Sequence, residues 1–521
     1  MKVLKIYFSI IFISSSICFK AQQKKVSLFV AVVVDQMKYE YVDRFWDSYG
    51  EMGFKKLTNS GTFCRNTHYN YIPTYTGPGH ASIFTGTTPS VHGIIGNNWY
   101  DRTDFSPVYC AGDWKSQTVC LCKTPHDKND VGSGQMSPIS LLSNTVGDQL
   151  KLSDSLSKVF GISIKDRGAI LSSGALANGA YWLNRNAQWI SSSYYTNELP
   201  SWISDFQNTH SAESYMKGHW KGKTFDYDLN QLIIDKGPSA IKSNPKGNDF
   251  TLDFAKRLIL EENLGKDNHL DLLTLGFSST DYIGHTYGPD AEEIKSTYIQ
   301  FDKTLASLIA FLDKHIGIDN YTLMLTSDHG AGTSPSLIKD KRLKGGNFNS
   351  KEVKSRVSSA LELSFGVDNL IARYSNMQFY MNHNLLDSLN ISFGEVYKKT
   401  REILLQESAV KEVYNWKELN AAHPSMITKM LINGIHKNRS GDIFMVLNPG
   451  YIEWSSTKGT SHGTHYNYDT HVPLFFYGSN IEPNVIYDKV EVSDIAPTLS
   501  VLMNIGFPNA CTGNPVVGVL K

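Results

Sequence analysis

Asp281 and His285 stand four residues apart in Asp-Tyr-Ile-Gly-His, and Asp328 and His329 are adjacent and followed by Gly330. Residues four apart share one face if the segment is helical, so the first pair can converge on a single ion. A sharp turn at Gly330 can direct both members of the second pair inward. Asp35 and His462 complete a set of six oxygen and nitrogen donors. That inventory matches two metal sites, since each ion needs about four ligands and a phosphoryl-transfer centre needs two ions bridged by the substrate. Imidazole donors suit zinc, although the same set accepts manganese or cobalt. Alone, Asp-His-Gly reads as a capped turn; that reading does not explain why His accompanies Asp twice.

A nucleophile is offered by Thr76 in Tyr75-Thr76-Gly77-Pro78-Gly79-His80, ahead of a helix-like Ala81–Phe84. Pro78 fits a first helical turn, which places Thr76 at a helix N-terminus, where N–H groups and the dipole favour an alkoxide and an incoming phosphate. The plain alternative is an N-cap threonine. Lys165 and Arg167 flank Asp166 after a strand-like Val159–Ile164. Arg grips two phosphate oxygens and Lys adds a point charge, the neutralisation a monoester dianion requires and a diester, with one charge fewer, does not. His80, His92, His465 and His471 read as supporting residues, because the ligand count is already full.

The elements that must carry these residues are legible as strands. Val26–Val34 is a β-branched apolar run ending in Asp35, the pattern of a parallel strand buried on both faces. Leu270–Leu275 leads through Ser278 to Asp281, and Tyr321–Thr326 leads to Asp328 and His329. Parallel sheets bind ligands beyond the carboxyl ends of their strands, so three strands delivering Asp or His to one edge is a site-building pattern. Ala291–Ile316 has helical apolar spacing, Pro473–Tyr477 reads as a further strand and Ile495–Met503 as a closing helix. The expected fold is α/β, a mostly parallel central sheet flanked by helices. Residues 334–454 interrupt the alternation with a mixed segment, including a helix over Phe393–Gln406 and strands over Met377–Met381 and Ile443–Leu447, expected as an inserted α+β cap. The catalytic core then spans 22–333 and 455–521.

The chain resembles the alkaline phosphatase superfamily, and within it the secreted, broad-specificity bacterial alkaline phosphatases that use threonine. The resemblance runs through Asp35, Thr76, Asn97, Lys165, Arg167, Asp281, His285, Asp328, His329 and His462 in Gly459-Thr460-Ser461-His462-Gly463. It implies that Asp281, His285 and His462 bind one zinc while Asp35, Asp328, His329 and the Thr76 oxygen bind the other. It implies in-line attack by Thr76, a covalent phosphothreonine, hydrolysis by water with net retention, and phosphoryl contacts from Asn97, Lys165 and Arg167. In that family these three contacts separate monoesterases from diesterases. The expected substrates are small phosphate monoesters with inorganic phosphate as product; the alternative is a phosphodiesterase or nucleotide pyrophosphatase of the same superfamily. A sulfatase is disfavoured because Thr76-Gly77-Pro78-Gly79-His80 lacks that branch's Cys or Ser before x-Pro-x-Arg.

Fifty basic residues balance fifty acidic ones, so no overall field points to nucleic acid or an anionic membrane. Lys2 and Lys5 precede an apolar run from Ile6 to Ile17, too short for a bilayer, which reads as a signal peptide over residues 1–21 and an exported protein, periplasmic or secreted. A monomer with no membrane attachment after signal removal is expected. Five cysteines remain in the mature chain, an odd number, with disulfides permitted among Cys110, Cys120 and Cys122.

Overall fold

The computed structural model describes residues 26–121, 132–421 and 425–520. The signal peptide and Cys122 lie outside the described residues. Among the described residues, ten strands run across the main sheet in the order Asn484–Ile486, Thr62–His68, His471–Gly478, Tyr321–Thr326, Leu28–Val34, Asp271–Phe277, Val159–Ser163, Gly179–Leu183, Trp189–Ser192 and Thr118–Val119, with Val490–Glu491 pairing beside Thr62–His68. Five central strands, from Tyr321–Thr326 to Gly179–Leu183, are parallel neighbours. His471–Gly478 is antiparallel to both its neighbours. The α/β expectation therefore holds, with antiparallel strands outside the parallel centre.

Leu28–Val34 explains the architecture. All seven residues are buried. Leu28, Val30, Val32 and Val34 pack in one apolar layer with helices Lys246–Glu261 and Glu292–His315, while Phe29, Ala31 and Val33 pack in the other with Ile495–Met503 and Ile83 and Phe84 of helix Thr76–Thr85. Alternate side chains of a strand point to opposite faces, so an unbroken apolar run is what two covered faces require. Helix Glu292–His315 buries Ile294, Tyr298, Phe301, Leu305, Leu308, Ile309 and Leu312, carries Glu292 and Glu293 in its first turn and Lys314 and His315 in its last. Both charge placements oppose the helix dipole favourably.

Register sets the site. Val34 pairs with Phe277, Val33 with Thr326, and Gly276 with Ser163, so all four strands end level and Asp35, Ser278, Ser327 and Ile164 follow at one edge. Residues 346–453 fold outside this sheet. The chain departs and returns through paired strands Gly346–Phe348 and Tyr451–Glu453. Between them a four-stranded antiparallel sheet, Ile371–Ser375, Gln378–Met381, Ile443–Leu447 and Val410–Asn415, packs with helices Ser350–Phe365 and Phe393–Leu404 around its own apolar core. No helix among the described residues is long and apolar enough to cross a membrane. Cys120 is disulfide-bonded, whereas Cys64, Cys110 and Cys511 are free thiols, so of the permitted group Cys110 is not bridged.

Candidate active site

Thr76 is the first residue of helix Thr76–Thr85, and Tyr75, in extended conformation, is the N-cap. The threonine is thus one position inside the helix. Its Oγ1 lies 3.5 Å from His329 Nε2 and is buried. The Gly77 N–H donates to Asn97 Oδ1 at 2.8 Å. An amide oxygen is the only acceptor in that side chain, so its NH2 group must face away from Gly77. Gly79 allows this helix to approach the Asp328–His329 turn: a Cβ there would stand 2.3 Å from the Asp328 carbonyl oxygen.

Strand Asp271–Phe277 passes through Ser278 into helix Ser279–Tyr287, which puts Asp281 in the first turn and His285 one turn later on the same face. His285 Nε2 is 3.1 Å and His462 Nε2 3.8 Å from Asp281 Oδ1. On the other side, His329 Nε2 is 3.6 Å from Asp35 Oδ1 and 3.5 Å from Asp328 Oδ2. The donor atoms of Asp281, His285 and His462 form one group close enough to share an ion, and those of Asp35, Asp281 and His329 form another, so Asp281 stands between the two. Asp328 adjoins the second group through His329.

The chemistry of this donor set fits metal cations. His285 Nδ1 faces the Thr460 carbonyl at 2.8 Å, His462 Nδ1 the Thr74 carbonyl at 2.7 Å and His329 Nδ1 the Gly330 carbonyl at 2.9 Å. A carbonyl can only accept, so each Nδ1 carries a proton; in the neutral rings of His329 and His462 Nε2 presents a lone pair to the carboxylates, whereas burial disfavours charge on His285 but Asp281 outweighs it and raises that imidazole. Burial holds His329 well below the usual imidazole range and lowers His462 to about 3, with the neighbouring imidazoles acting in the same direction. Lone pairs aimed at carboxylates repel unless a cation lies between them. Asp35 Oδ1 and Asp328 Oδ2 are buried and accept no hydrogen bond from the described residues. Burial, reinforced by Asp281 for Asp35 and by Asp35 for Asp328, raises both carboxyls. Burial also works against charge on Asp281, but His285 and Lys165 outweigh it and hold that carboxyl well below its ordinary value.

Lys165 and Arg167 reach the same edge from strand Val159–Ser163 and the first turn of helix Asp166–Ser173. Lys165 Nζ lies 2.7 Å from Asp35 Oδ2 and 2.5 Å from Asp281 Oδ2. Burial disfavours its charge, yet the two carboxylates prevail and raise its pKa. Arg167 donates from Nη1 to the Tyr109 hydroxyl at 3.3 Å, and its buried Nε has no partner among the described residues. Asp35, Thr76, Lys165, Arg167, Asp281, His285, Asp328, His329 and His462 thus gather at one edge of the sheet, with Asn97 held beside Thr76 through Gly77.

Several residues in this site carried no sequence signal. Gln36 adopts a left-handed φ of 62°, its N–H donates to Asp328 Oδ1 at 3.1 Å and its Nε2 to Asp281 Oδ1 at 2.6 Å. A non-glycine residue in that conformation costs of order 1 kcal/mol, offset here by tying two acidic residues together. Ser327 Oγ accepts from the Met37 N–H and donates to the His329 carbonyl, both at 2.8 Å. His80, expected in support, meets Ser172 Oγ at 2.9 Å through Nδ1 and points Nε2 at Asp328 Oδ2, 3.8 Å away. His92 meets Ser82 Oγ at 2.9 Å, and His471 meets the Arg65 carbonyl, also at 2.9 Å, both outside the donor groups.

Comparison with known proteins identifies the family. The family described as type I phosphodiesterase / nucleotide pyrophosphatase matches residues 29–469. Alkaline phosphatase PafA of Elizabethkingia meningoseptica is 37% identical over 95% of this chain and 94% of its own length. Alkaline phosphatase PhoV of Synechococcus elongatus is 35% identical, covering 100% of both chains. A Myroides odoratus protein named a calcium-transporting ATPase is 36% identical over 97% of this chain and 96% of its own. The crystal structure of wild-type alkaline phosphatase PafA superposes with a TM-score of 0.90 at 36% identity, covering 95% of this chain and 99% of that one. A variant of PafA altered at a threonine, an asparagine, a lysine and an arginine superposes with a TM-score of 0.90 at 35% identity, covering the same shares. The chain belongs to the type I phosphodiesterase / nucleotide pyrophosphatase family of the alkaline phosphatase superfamily, and to the alkaline phosphatases within it.

Proposed function

We propose that this protein is an exported, zinc-dependent phosphate monoesterase of broad leaving-group tolerance that works through a covalent phosphothreonine on Thr76. The observation that carries the reading is the position of Thr76 Oγ1, 3.5 Å from His329 Nε2 at a helix N-terminus, beside two groups of Asp and His donors. Asp281, His285 and His462 would hold one zinc, and Asp35, Asp328, His329 and the Thr76 oxygen the other. The chemistry two such ions supply when bound is neutralisation of charge at the attacking and leaving oxygens.

The chain's own groups account for the rest. Thr76 Oγ1 forms the new bond to phosphorus as the bond to the leaving oxygen breaks, and water later displaces the threonine oxygen and releases inorganic phosphate. Asn97, whose Oδ1 is committed to the Gly77 N–H, has its NH2 group left to donate to a phosphoryl oxygen. Lys165 and Arg167 bring the two positive charges that a monoester dianion needs. The variant of PafA described above alters the same four residue types, in the same chain order as Thr76, Asn97, Lys165 and Arg167. The segment 334–454 caps the core formed by 22–333 and 455–521 and shapes leaving-group access. Residues 1–21 support export. ATP ends in the same phosphoryl dianion as a monoester, so the name of the Myroides relative is compatible with this chemistry.

Diester or nucleotide pyrophosphate hydrolysis is the second reading, favoured by the description of the matching family. The test is kcat/KM of the zinc-loaded mature protein for an aryl phosphate monoester and its matching diester, side by side. A large monoester preference is expected, with Arg167→Ala reducing monoester turnover far more than diester turnover. A diester preference in the unaltered enzyme would overturn the monoesterase reading while leaving the fold and Thr76 in place.

A further inference from the structure

Tyr109 lies outside the donor groups, yet its hydroxyl stands between two charged residues of the site. It donates to Asp166 Oδ1 in a short contact, and Arg167 Nη1 donates to it at 3.3 Å. The direction of this chain is fixed by chemistry: a guanidinium can only donate, a carboxylate only accepts, and a phenol can do one of each. A proton-donor chain therefore runs from Arg167 through Tyr109 to Asp166. Asp166 Oδ1 also accepts the Arg167 main-chain N–H at 2.5 Å, so the carboxylate is held over the start of the helix. Without the phenol between them, Asp166 and the Arg167 guanidinium would be free to close into a direct ion pair, which would draw the fork away from a phosphoryl group and spend its charge on the protein.

The element that carries Tyr109 makes the arrangement more than a local contact. Asn98–Tyr100 and Pro107–Tyr109 form a small antiparallel hairpin in which Asn98 pairs with Tyr109. Cys110 N–H donates to the Asn97 carbonyl at 3.0 Å, closing the hairpin just beside the Asn97 side chain. One hairpin thus fixes Asn97 against Gly77 at one corner and the Arg167 guanidinium at the other. Burial raises the Tyr109 hydroxyl well above its ordinary range, with Asp166 adding to the effect, so it stays protonated and able to bridge.

We propose that Tyr109 is a positioning residue for phosphate monoester specificity: it holds Arg167 apart from Asp166 and orients the guanidinium toward the phosphoryl group. This rests on the reading of Arg167 as a phosphoryl contact. The consequence is selective, because a diester has less need of the Arg167 charge. A phenol that served only the hairpin's packing would act on both substrates alike and would act whether or not Arg167 were present.

The test is a double-mutant cycle on the zinc-loaded protein, comparing the unaltered chain, Tyr109→Phe, Arg167→Ala and the double variant. Each is assayed with the aryl monoester and the matching diester, and with inorganic phosphate as competitive inhibitor. Tyr109→Phe keeps the ring and its packing. It is expected to lower monoester kcat/KM about tenfold, the scale of one hydrogen bond to a charged group, and to weaken phosphate inhibition in parallel. Diester kcat/KM should change by less than about twofold, and in the Arg167→Ala background Tyr109→Phe should change monoester turnover by less than about twofold. A Tyr109→Phe loss that persists at full size without Arg167, or that falls equally on both esters, overturns the role given to Tyr109. An Arg167→Ala loss equal on both esters overturns the phosphoryl-contact reading and this role with it.

Discussion

Thr76 differs from the buried threonines around it in what its hydroxyl does. Thr74 Oγ1 donates to the Thr464 carbonyl, Thr85 Oγ1 to the Ala81 carbonyl and Thr280 Oγ1 to the Asp35 carbonyl. Each of those protons is spent on main chain, whereas among the described residues Thr76 Oγ1 faces only a histidine nitrogen, at a distance that leaves the bond long. Weakly engaged hydroxyls at a helix N-terminus are the ones available for attack, since nothing has to be broken to free the oxygen and the local field favours its anion. Thr76→Ala should therefore lower kcat by more than about a thousandfold while zinc content and phosphate binding persist, because the donors and cations that hold phosphate remain. Acid quenching during turnover followed by peptide mass spectrometry should find phosphate on Thr76 in the unaltered enzyme and nowhere on the variant. Phosphate trapped on another residue, or substantial turnover by a zinc-replete Thr76→Ala protein, would move the nucleophile elsewhere.

At the scale of elements, the segment folded outside the main sheet reaches Asn98, next to Asn97, through a hairpin tip. Asn376 Nδ2 donates to the Asn98 carbonyl at 2.7 Å and Ser375 Oγ to the same oxygen at 3.3 Å. Asn376 has a left-handed φ of 54°, which an asparagine tolerates, and it lies so close to Gly96 that a Cβ on that glycine would stand 2.4 Å from its Nδ2. Asn97 thus sits between a glycine and a carbonyl that both contact Asn376. Asn376→Ala is expected to cost about 1 kcal/mol of stability for the lost hydrogen bond and to lower monoester kcat/KM severalfold. Stopped-assay kinetics with thermal denaturation on the same sample would separate the two effects; an unchanged kcat/KM beside a lowered Tm would confine the tip to folding.

What could be read beforehand divides along physical lines. Leu28–Val34, Asp271–Phe277 and Tyr321–Thr326 were legible because burial on both faces demands continuous apolar runs, and their acidic ends follow in sequence. The pair Asp281 and His285 was legible because a helix repeats every three to four residues. Thr62–His68, Thr-Phe-Cys-Arg-Asn-Thr-His, carries half-buried polar residues toward the end of the sheet, and its composition does not separate it from loop. Tyr109 lies far from Asp166 in sequence, and Gln36 acts through a main-chain conformation, so neither leaves a pattern in residue spacing. Contacts that depend on chain folding back, rather than on periodicity, are the ones only the structure supplies.

For the molecule as a whole, the site is a concentration of charge in the middle of an apolar assembly. Asp35, Asp281 and Asp328 leave the ends of three adjacent strands and are almost fully buried, with Lys165 against two of them and the neutral rings of His329 and His462 beside them. Isolated buried carboxylates are costly, and their mutual repulsion in a low-dielectric setting adds to the cost, which is the reason Asp35 and Asp328 titrate high. Cations held by these residues would relieve that repulsion across both layers of the core at once, because the strands carrying the ligands are the central strands of the sheet. Metal binding should therefore register as global stability and not as a local ordering of loops. A ligand present at a thousandfold its Kd adds about 4 kcal/mol to the folded state. Calorimetry of the mature protein should show a Tm lowered by several degrees after verified zinc removal and restored by added zinc. Lost activity with an unchanged Tm would mean that the cations serve chemistry without supporting the sheet edge, and full activity after zinc removal would take them out of the mechanism.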